Sequence, residues 1–108
     1  MKSKIYSLQW KRYKDYQGSA KHRKIDFELD FDEFRRYWQT DCHYCGGSVE
    51  TIGLDRIDSS VGYNLDNIVP CCTKCNRMKL DTELDEFIDR CRRITARSFN
   101  LPIESFSK

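Results

Sequence analysis

Two C-x-x-C pairs constrain this chain of 108 residues more than any other feature. Cys42 and Cys45 form the first pair and Cys72 and Cys75 the second, with 26 residues between the pairs. Each pair can present two thiolates from one turn, and four thiolates complete a tetrahedral zinc shell without an open position. The spacing therefore predicts a closed structural zinc site that holds a small core together and performs no chemistry.

The other two cysteines are expected to stand outside this site. Cys71 could compete with Cys72 as a ligand, but its x3 spacing to Cys75 fits a zinc knuckle less well. Cys91 falls on the apolar side of a predicted helix and is most simply a small core residue. Redox pairs or free thiols are the alternative, and they leave the matched spacing unexplained.

Length and composition predict a single domain in a reducing compartment. The first ten residues, MKSKIYSLQW, carry charge but no apolar segment, so we expect no signal peptide. No window approaches the roughly 18 apolar residues of a membrane span. We therefore expect a cytoplasmic protein without a membrane partner, in which clustered cysteines bind metal more often than each other.

The formal net charge of +2 conceals a segregation of charge. Residues 1–24 hold eight Lys or Arg residues against one acid, whereas residues 25–70 hold three basic residues against ten acids. Aromatic residues are interleaved with the N-terminal basic residues. This pattern is typical of a polyanion-binding surface around an acidic centre, with Lys11 and Arg12 as candidate nucleic-acid contacts. Solvated helix faces are the alternative.

Periodicity and capping signals predict a mixed α and β chain. The predicted elements are a helix over 3–17 that ends at Gly18, a short strand or extended arm over 21–29, a helix after Asp30, strands over 51–57 and 68–70, and a helix over 74–79. Asp30 and Glu33 form a capping box for the second helix.

A last helix is predicted after residue 81. Thr82 with Asp85 should cap it. Its apolar stripe is expected to pack on the core and consists of Leu84, Phe87, Ile88, Cys91 and Ile94.

The segments between and after the cysteines carry a specific resemblance. They are GLDRID (53–58), GYNLDNIVPCC (62–72) and TKCNRMK (73–79). This pattern resembles the HNH (ββα-metal) nucleases, in particular small phage and bacterial forms with a four-Cys zinc site, and is similar to the endonuclease VII resolvases. The resemblance covers about residues 40–80, and residues 19–40 also look like the F-x-x-F helix of those relatives. The first 18 residues and the tail are not covered.

The resemblance implies an α+β fold with a small zinc-stabilised ββα-metal (His-Me finger) core and flanking helices. The expected segments are a basic N-terminal arm with the F-x-x-F helix (1–39), the core with both zinc knuckles (40–80), a packing helix (81–98) and a tail (99–108). It also implies a metal-dependent endonuclease in a bacterial or phage-infected cell. Such an enzyme hydrolyses DNA phosphodiester bonds and leaves a 5′ phosphate.

The resemblance further implies a catalytic divalent ion besides the structural Zn²⁺. Asp55 corresponds to its first ligand, Asn76 to its second, and Asn67 to a loop residue that pins the backbone. A carboxylate and an amide oxygen suit Mg²⁺ or Mn²⁺, which keep several waters. Asn76 directly follows Cys75, so the zinc site would fix the helix that carries this ligand.

The sequence departs from the family pattern at the general base. The position after Asp55, where the family has His, is Arg56, and arginine cannot be deprotonated, although it could clamp the scissile phosphate. If the strand continues, Asp58 shares a face with Arg56 and becomes a candidate base or auxiliary ligand; the alternative is a turn residue. His43, in the first knuckle, is a further candidate, with an exposed turn histidine as its alternative. A water activated by the metal alone is the remaining option.

Basic residues on the last core helix are expected to serve the substrate. Arg77 and Lys79 should contact phosphates, whereas Lys74 is interpreted as part of a solvated face. A non-catalytic zinc module that binds nucleic acid is the alternative function, which Arg56 keeps open, and a protein-interaction adaptor ranks third. The substrate form and a homodimer that cuts both strands stay open.

Overall fold

A computed structural model describes residues 3–102 of the chain. It contains α1 (Lys4–His22), α2 (Phe31–Arg35), β1 (Leu54–Arg56), β2 (Ile68–Pro70), α3 (Thr73–Lys79) and α4 (Leu84–Ser98). Residues 103–108, most of the predicted tail, lie outside the described part. The strands and α3 form a ββα unit flanked by the other helices, which confirms the predicted α+β class.

The two strands form an antiparallel pair that fixes the position of Asp55. Asp55 lies opposite Val69, and Arg56 lies opposite Ile68. The first strand begins only at residue 54, later than predicted, and ends at Arg56. At Gly53 an added Cβ would collide with the carbonyl oxygen of Cys71, so the close approach of these two backbone segments requires glycine.

Helix α1 continues through Gly18 to His22, so the predicted end at Gly18 is wrong. A glycine inside a helix costs only about 1 kcal/mol relative to alanine. Beyond it, Ala20 is almost completely buried, and its carbonyl accepts a hydrogen bond of 2.8 Å from the amide of Ile25. Packing of this last turn therefore outweighs the local preference of glycine.

An aromatic core joins α1, α2 and the following loops. Tyr13 lies at its centre, with ring centroids of Phe31 and Phe34 at 5.4 and 5.3 Å, and its hydroxyl donates to the carbonyl of Leu29 at 2.8 Å. The prediction of a strand or arm over 21–29 is wrong in its first part, because residues 21–22 belong to α1 and residues 23–24 form a turn; the rest contains one isolated bridge, from Phe27 to Tyr63. This core holds α1 against the ββα unit.

The second helix confirms its predicted capping box. The Asp30 side chain accepts from the Glu33 amide at 2.8 Å, and the Glu33 side chain accepts from the Asp30 amide at 2.9 Å. Phe34, one turn further, is fully buried and anchors this short helix in the core.

The last helix packs less than predicted. Its N-cap is Glu83, without a side-chain capping bond, so the predicted cap by Thr82 with Asp85 is wrong. Phe87 is buried, but Ile94 is 56% exposed, so the predicted packing of Ile94 on the core is wrong.

The molecule is elongated. It measures 56 × 28 × 20 Å, and its radius of gyration is 16.1 Å, against about 13 Å for a compact domain of this length.

Candidate active site and metal centre

Four cysteine sulfurs converge at the junction of the first knuckle and α3. The Sγ atoms of Cys42, Cys45, Cys72 and Cys75 all lie within 4.8 Å of one another, and those of Cys45 and Cys72 are 3.8 Å apart. A zinc ion with four Zn–S bonds of about 2.3 Å requires sulfur separations of about 3.8 Å. These cysteines are therefore positioned to bind one metal ion, and their sulfur donors fit zinc.

The backbone around the sulfurs favours this arrangement. In the first knuckle the amide of Cys42 donates to the carbonyl of Gly47 at 2.8 Å, and Gly46 adopts a φ of 75° that closes the turn. The amide of Cys75 points at the sulfur of Cys72 at 3.4 Å. Burial opposes ionisation of Cys42, but neighbouring backbone N–H groups lower its pKa to about 6.

Cys71 stands outside the sulfur cluster. Its Sγ lies 3.4 Å from the carbonyl oxygen of Cys72 and is buried. Burial, and then the neighbouring charge of Cys42, raise the pKa of Cys71 to about 12. The group of four converging sulfurs includes Cys72 and not Cys71, which agrees with the choice of Cys72 from the spacing.

Asp55 is held from two sides inside the fold. The Tyr44 hydroxyl donates to its Oδ2 at 2.6 Å, and the Lys79 Nζ lies 3.3 Å from the same oxygen. Lys79 also donates to the carbonyl of Arg56 at 3.2 Å and is fully buried. The predicted phosphate contact by Lys79 is therefore wrong, because its ammonium group faces the protein interior and pairs with Asp55.

Sequence reasoning missed Tyr44 entirely. Burial, and then its bond to Asp55, raise the pKa of Tyr44 far above its usual range, so the phenol stays a hydrogen-bond donor. The amide of His43 donates to the carbonyl of Pro70 at 2.8 Å, which docks the first knuckle on β2. A tyrosine between two cysteines of the cluster gives no local signal of a contact with a strand ten residues away.

Asp55 and Asn76 open onto one cavity of about 510 Å³. Asp55 comes from β1, and Asn76 from the exposed side of α3, directly after zinc-site residue Cys75. Carboxylate and amide oxygens are ligands that hard divalent cations prefer. Both predicted ligands thus line the same cavity and carry oxygen donors, and Asp55 already accepts bonds from Tyr44 and Lys79.

Asn67 is buried and fastens the loop between the strands. Its Nδ2 donates to the carbonyls of Asp58, Val61 and Gly62 at 3.0, 3.2 and 3.0 Å, and its Oδ1 accepts from the Asp58 amide at 2.9 Å. These contacts have the geometry expected of the predicted pinning residue, and they close the loop directly after β1.

Arg56 lines the cavity but is tied to the same loop. Its Nη1 donates to the carbonyl of Ser59 at 2.6 Å and to that of Val61 at 3.1 Å. The guanidinium carbon also lies 5.4 Å from the ring centre of Tyr63. Two carbonyls and one aromatic face thus fix its orientation at the edge of the cavity.

Asp58 does not share a strand face with Arg56, because the strand ends at Arg56. Its carboxylate accepts from the hydroxyl and the amide of Ser60 at 2.6 and 2.9 Å. These bonds, the hydroxyl first, lower the pKa of Asp58. The continuing strand that would place Asp58 on one face with Arg56 is therefore absent, and Asp58 has the contacts of a turn residue.

His43, the other candidate base, does not line the cavity either. His43 is exposed at the knuckle, and its ring meets that of Tyr44 edge-on at 5.3 Å, outside the described cavity lining. The cavity wall instead includes the carboxylates of Asp15 and Asp81. Sequence reasoning missed both, because Asp15 belongs to α1 and Asp81 to the turn after α3.

The overall structure is similar to that of the rare-cutting HNH restriction endonuclease PacI. The match covers 89% of this chain and 82% of PacI, with a TM-score of 0.63 and 18% sequence identity. The chain has the HNH fold. The similarity to endonuclease VII stays a prediction, and no family profile matches the chain.

Two viral proteins are similar in sequence to this chain. An uncharacterized protein of Acanthamoeba polyphaga mimivirus is 35% identical over 85 residues, and an uncharacterized protein of Enterobacteria phage T4 is 33% identical over 87 residues. These matches cover 77% and 74% of this chain but only 16% and 35% of the two relatives. Within residues 3–102, no helix is long and apolar enough to cross a membrane.

Proposed function

We propose that this chain is a metal-dependent HNH endonuclease that nicks or cleaves DNA. The observation that carries the proposal is the cavity shared by Asp55 and Asn76, two oxygen donors from separate elements of the ββα unit. The wall of the same cavity includes arginine side chains, which suit a phosphodiester substrate. The similarity to an HNH restriction endonuclease in fold agrees with this chemistry.

Asp55 and Asn76 would hold the catalytic Mg²⁺ or Mn²⁺. Such an ion, when bound, stabilises negative charge on the phosphate and on the leaving 3′ oxygen. Lys79 and Tyr44 fix the Asp55 carboxylate from the protein side, so that its orientation does not depend on the ion. Both act as positioning residues, because neither side chain lines the described cavity.

The structural zinc supports the same site. Cys75 is a zinc ligand in this proposal, and Asn76 is its direct neighbour on α3. Loss of the metal would release the first turn of α3 and with it the amide oxygen that faces the cavity. Zinc thus serves catalysis through the position of Asn76 rather than through chemistry of its own.

The proton of the attacking water needs an acceptor other than Asp58. Arg56 cannot accept it, and Asp58 and His43 lie outside the described cavity lining. The carboxylates of Asp15 and Asp81 line the cavity and are chemically able to act as a base. We therefore assign the role of general base to one of these two carboxylates, Asp15 or Asp81.

Substrate contacts fall to residues that reach the cavity or the surface. Arg56, Arg77 and Arg12 line the cavity, and Lys11 is exposed on α1. These cations would offset the repulsion between the acidic site and DNA. A cytoplasmic setting in a bacterial or phage-infected cell, and a homodimer for cutting both strands, belong to the same proposal.

A non-catalytic DNA-binding zinc module is the second candidate. The observation that favours it is Arg56, which occupies the family's general-base position and is bonded to two loop carbonyls. A supercoiled-plasmid assay separates the two candidates. If the chain is a nuclease, the wild type should produce nicked circles with Mg²⁺ or Mn²⁺, and the Asp55→Asn variant should produce no nicked circles. If it is a non-catalytic module, the plasmid should be retarded in the gel but stay uncut with every divalent ion.

A further inference from the structure

One face of α1 lines the cavity beside Asp55 and Asn76. The residues of this face that line it follow helical spacing and are Arg12, Asp15, Tyr16 and Ser19 of α1 with Arg23, the C-cap residue that directly follows the helix. The basic residues Lys14 and Lys21 project from other faces of the helix and are outside this lining. The helix therefore divides its positive charge between a cavity face and a solvent face.

The position of this wall is fixed by the core. The Tyr16 hydroxyl accepts from the backbone amide of Leu54 at 3.1 Å, and Leu54 is the residue before Asp55 on β1. Tyr13, on the adjacent face of α1, is buried and donates to the carbonyl of Leu29. The face of α1 is thus attached directly to the strand that carries the candidate ligand.

Arg12 carries an unsatisfied donor. Its Nε is buried and has no hydrogen-bond partner, while its guanidinium lies 5.8 Å from the ring centre of Tyr16. A buried N–H without a partner costs free energy comparable to a lost hydrogen bond. An anion in the cavity would have to bind the terminal nitrogens of Arg12 rather than this Nε, and no ion pair of the described residues engages Arg12, Arg23 or Arg77.

We propose that α1 is a phosphate-binding wall of the site, in which Arg12 and Arg23 contact the DNA backbone next to the phosphate at Asp55 and Asn76. The inference rests on the proposed function in taking DNA as the ligand. It assigns a substrate-binding role to a helix of which the part up to residue 18 lies outside the sequence resemblance to HNH nucleases. Arg77 of α3 lines the same cavity and would bind a further phosphate.

The test compares two charge-matched pairs on one helix. The zinc-loaded 108-residue chain is titrated into a short fluorescent DNA duplex without Mg²⁺ or Mn²⁺, and the dissociation constant is measured by anisotropy over a range of salt. The variants are Arg12→Ala with Arg23→Ala, and Lys14→Ala with Lys21→Ala as the control. Each pair removes the same charge, so a difference reports position on the helix.

If α1 is such a wall, the double variant Arg12→Ala with Arg23→Ala should bind DNA roughly tenfold or more weakly than the wild type. The slope of log affinity against log salt concentration should also fall by about 1.8, or 0.9 per phosphate contact. The lysine pair should leave the slope nearly unchanged. Arg23→Ala alone, at an exposed position, should lower the slope by about 0.9, and it keeps the test open if Arg12→Ala unfolds the protein.

Three outcomes overturn the inference: equal weakening by both pairs, no weakening by the arginine pair, or no binding of DNA by the wild type. The proposed function is judged separately by cleavage. If the variants show the predicted binding pattern but the wild type cuts no DNA, the phosphate-binding role of α1 is supported and the proposal of a nuclease is overturned.

Discussion

Lys79 and Asp55 form an ion pair that is buried on both sides. The distance from Nζ to Oδ2 is 3.3 Å, and the two side chains are 0% and 6% exposed. The pair joins α3 to β1, the two elements that carry the candidate ligands of the catalytic ion. Burial of an ammonium group is tolerated only with a partner, so this lysine depends on the carboxylate that we propose as a ligand of the catalytic ion.

Replacement of the lysine should destabilise the fold. Lys79→Met leaves a buried carboxylate without its cation, which costs about 3–5 kcal/mol of the free energy of unfolding. Urea titration of the zinc-loaded protein measures the change. Lys74→Met, on the exposed face of the same helix, should stay within about 0.5 kcal/mol of the wild type. Equal stabilities of the two variants would refute the structural role.

The Tyr44 hydroxyl should contribute to the same network. Tyr44→Phe removes a hydrogen bond to a charged group and is expected to cost about 1.5–3 kcal/mol of the free energy of unfolding. Tyr37→Phe is the matched control, because the described contacts include no hydrogen bond of the Tyr37 hydroxyl, and should change stability by less than about 0.5 kcal/mol. Denaturant unfolding with constant zinc content compares the two. A neutral Tyr44→Phe would mean that the 2.6 Å contact contributes nothing to stability.

Zinc removal should unfold the core and not merely inactivate it. We expect one zinc per chain, lost in Cys75→Ser, with a simultaneous loss of helical circular dichroism. Cys91→Ser, at a half-buried position outside the cluster, should retain the metal. Metal analysis after gel filtration decides the question. Retention of zinc by Cys75→Ser, or a folded chelated protein, would contradict the assigned ligand set.

The local features of this fold were readable from the sequence, and the tertiary ones were not. The zinc cysteines, the Asp30 capping box and the strand 68–70 depend on neighbours within a few residues, which spacing reports. Gly18 predicts a helix end that the structure does not have, because burial of Ala20, a tertiary effect, decides where α1 ends.

The candidate site divides in the same way. Asp55 and Asn76 follow from the resemblance, but the contact of Tyr44 and Lys79 with Asp55 joins three elements distant in sequence. A lysine in a motif looks like a phosphate ligand until its burial is known. Likewise, only the docking of α1 separates Arg12 on the cavity face from the other basic residues of that helix.

The Asp58 turn should make stability depend on pH. Because the bonds from Ser60 lower the pKa of Asp58 in the folded state, its stabilisation is complete above the unfolded pKa of about 3.9 and is lost as pH falls through the lowered folded value. Asp58→Ala should therefore be less stable than the wild type at pH 7, and the difference should shrink in acid. Urea midpoints across this range test it, with Asp66→Ala as the control on the same loop.

The same variant addresses catalysis. With its carboxylate bound to Ser60, Asp58 is not expected to be the base, so folded Asp58→Ala should still nick plasmid DNA. If Asp58→Ala lost turnover while it kept wild-type zinc content and DNA affinity, Asp58 would again be the candidate for the general base.

The central claim is that Asp55 and Asn76 make the cavity a metal-dependent site for DNA cleavage. Its most direct test is single-turnover cleavage of an end-labelled duplex by zinc-loaded protein in Mg²⁺ or Mn²⁺, with analysis of the new ends. The account predicts products with 5′ phosphates, formed only with the divalent ion. It also predicts that Asn76→Ala is slower by about a hundredfold or more, and that Lys74→Ala is as active as the wild type. Bound but uncut DNA with every divalent ion, or Asn76→Ala at the wild-type rate, would contradict it.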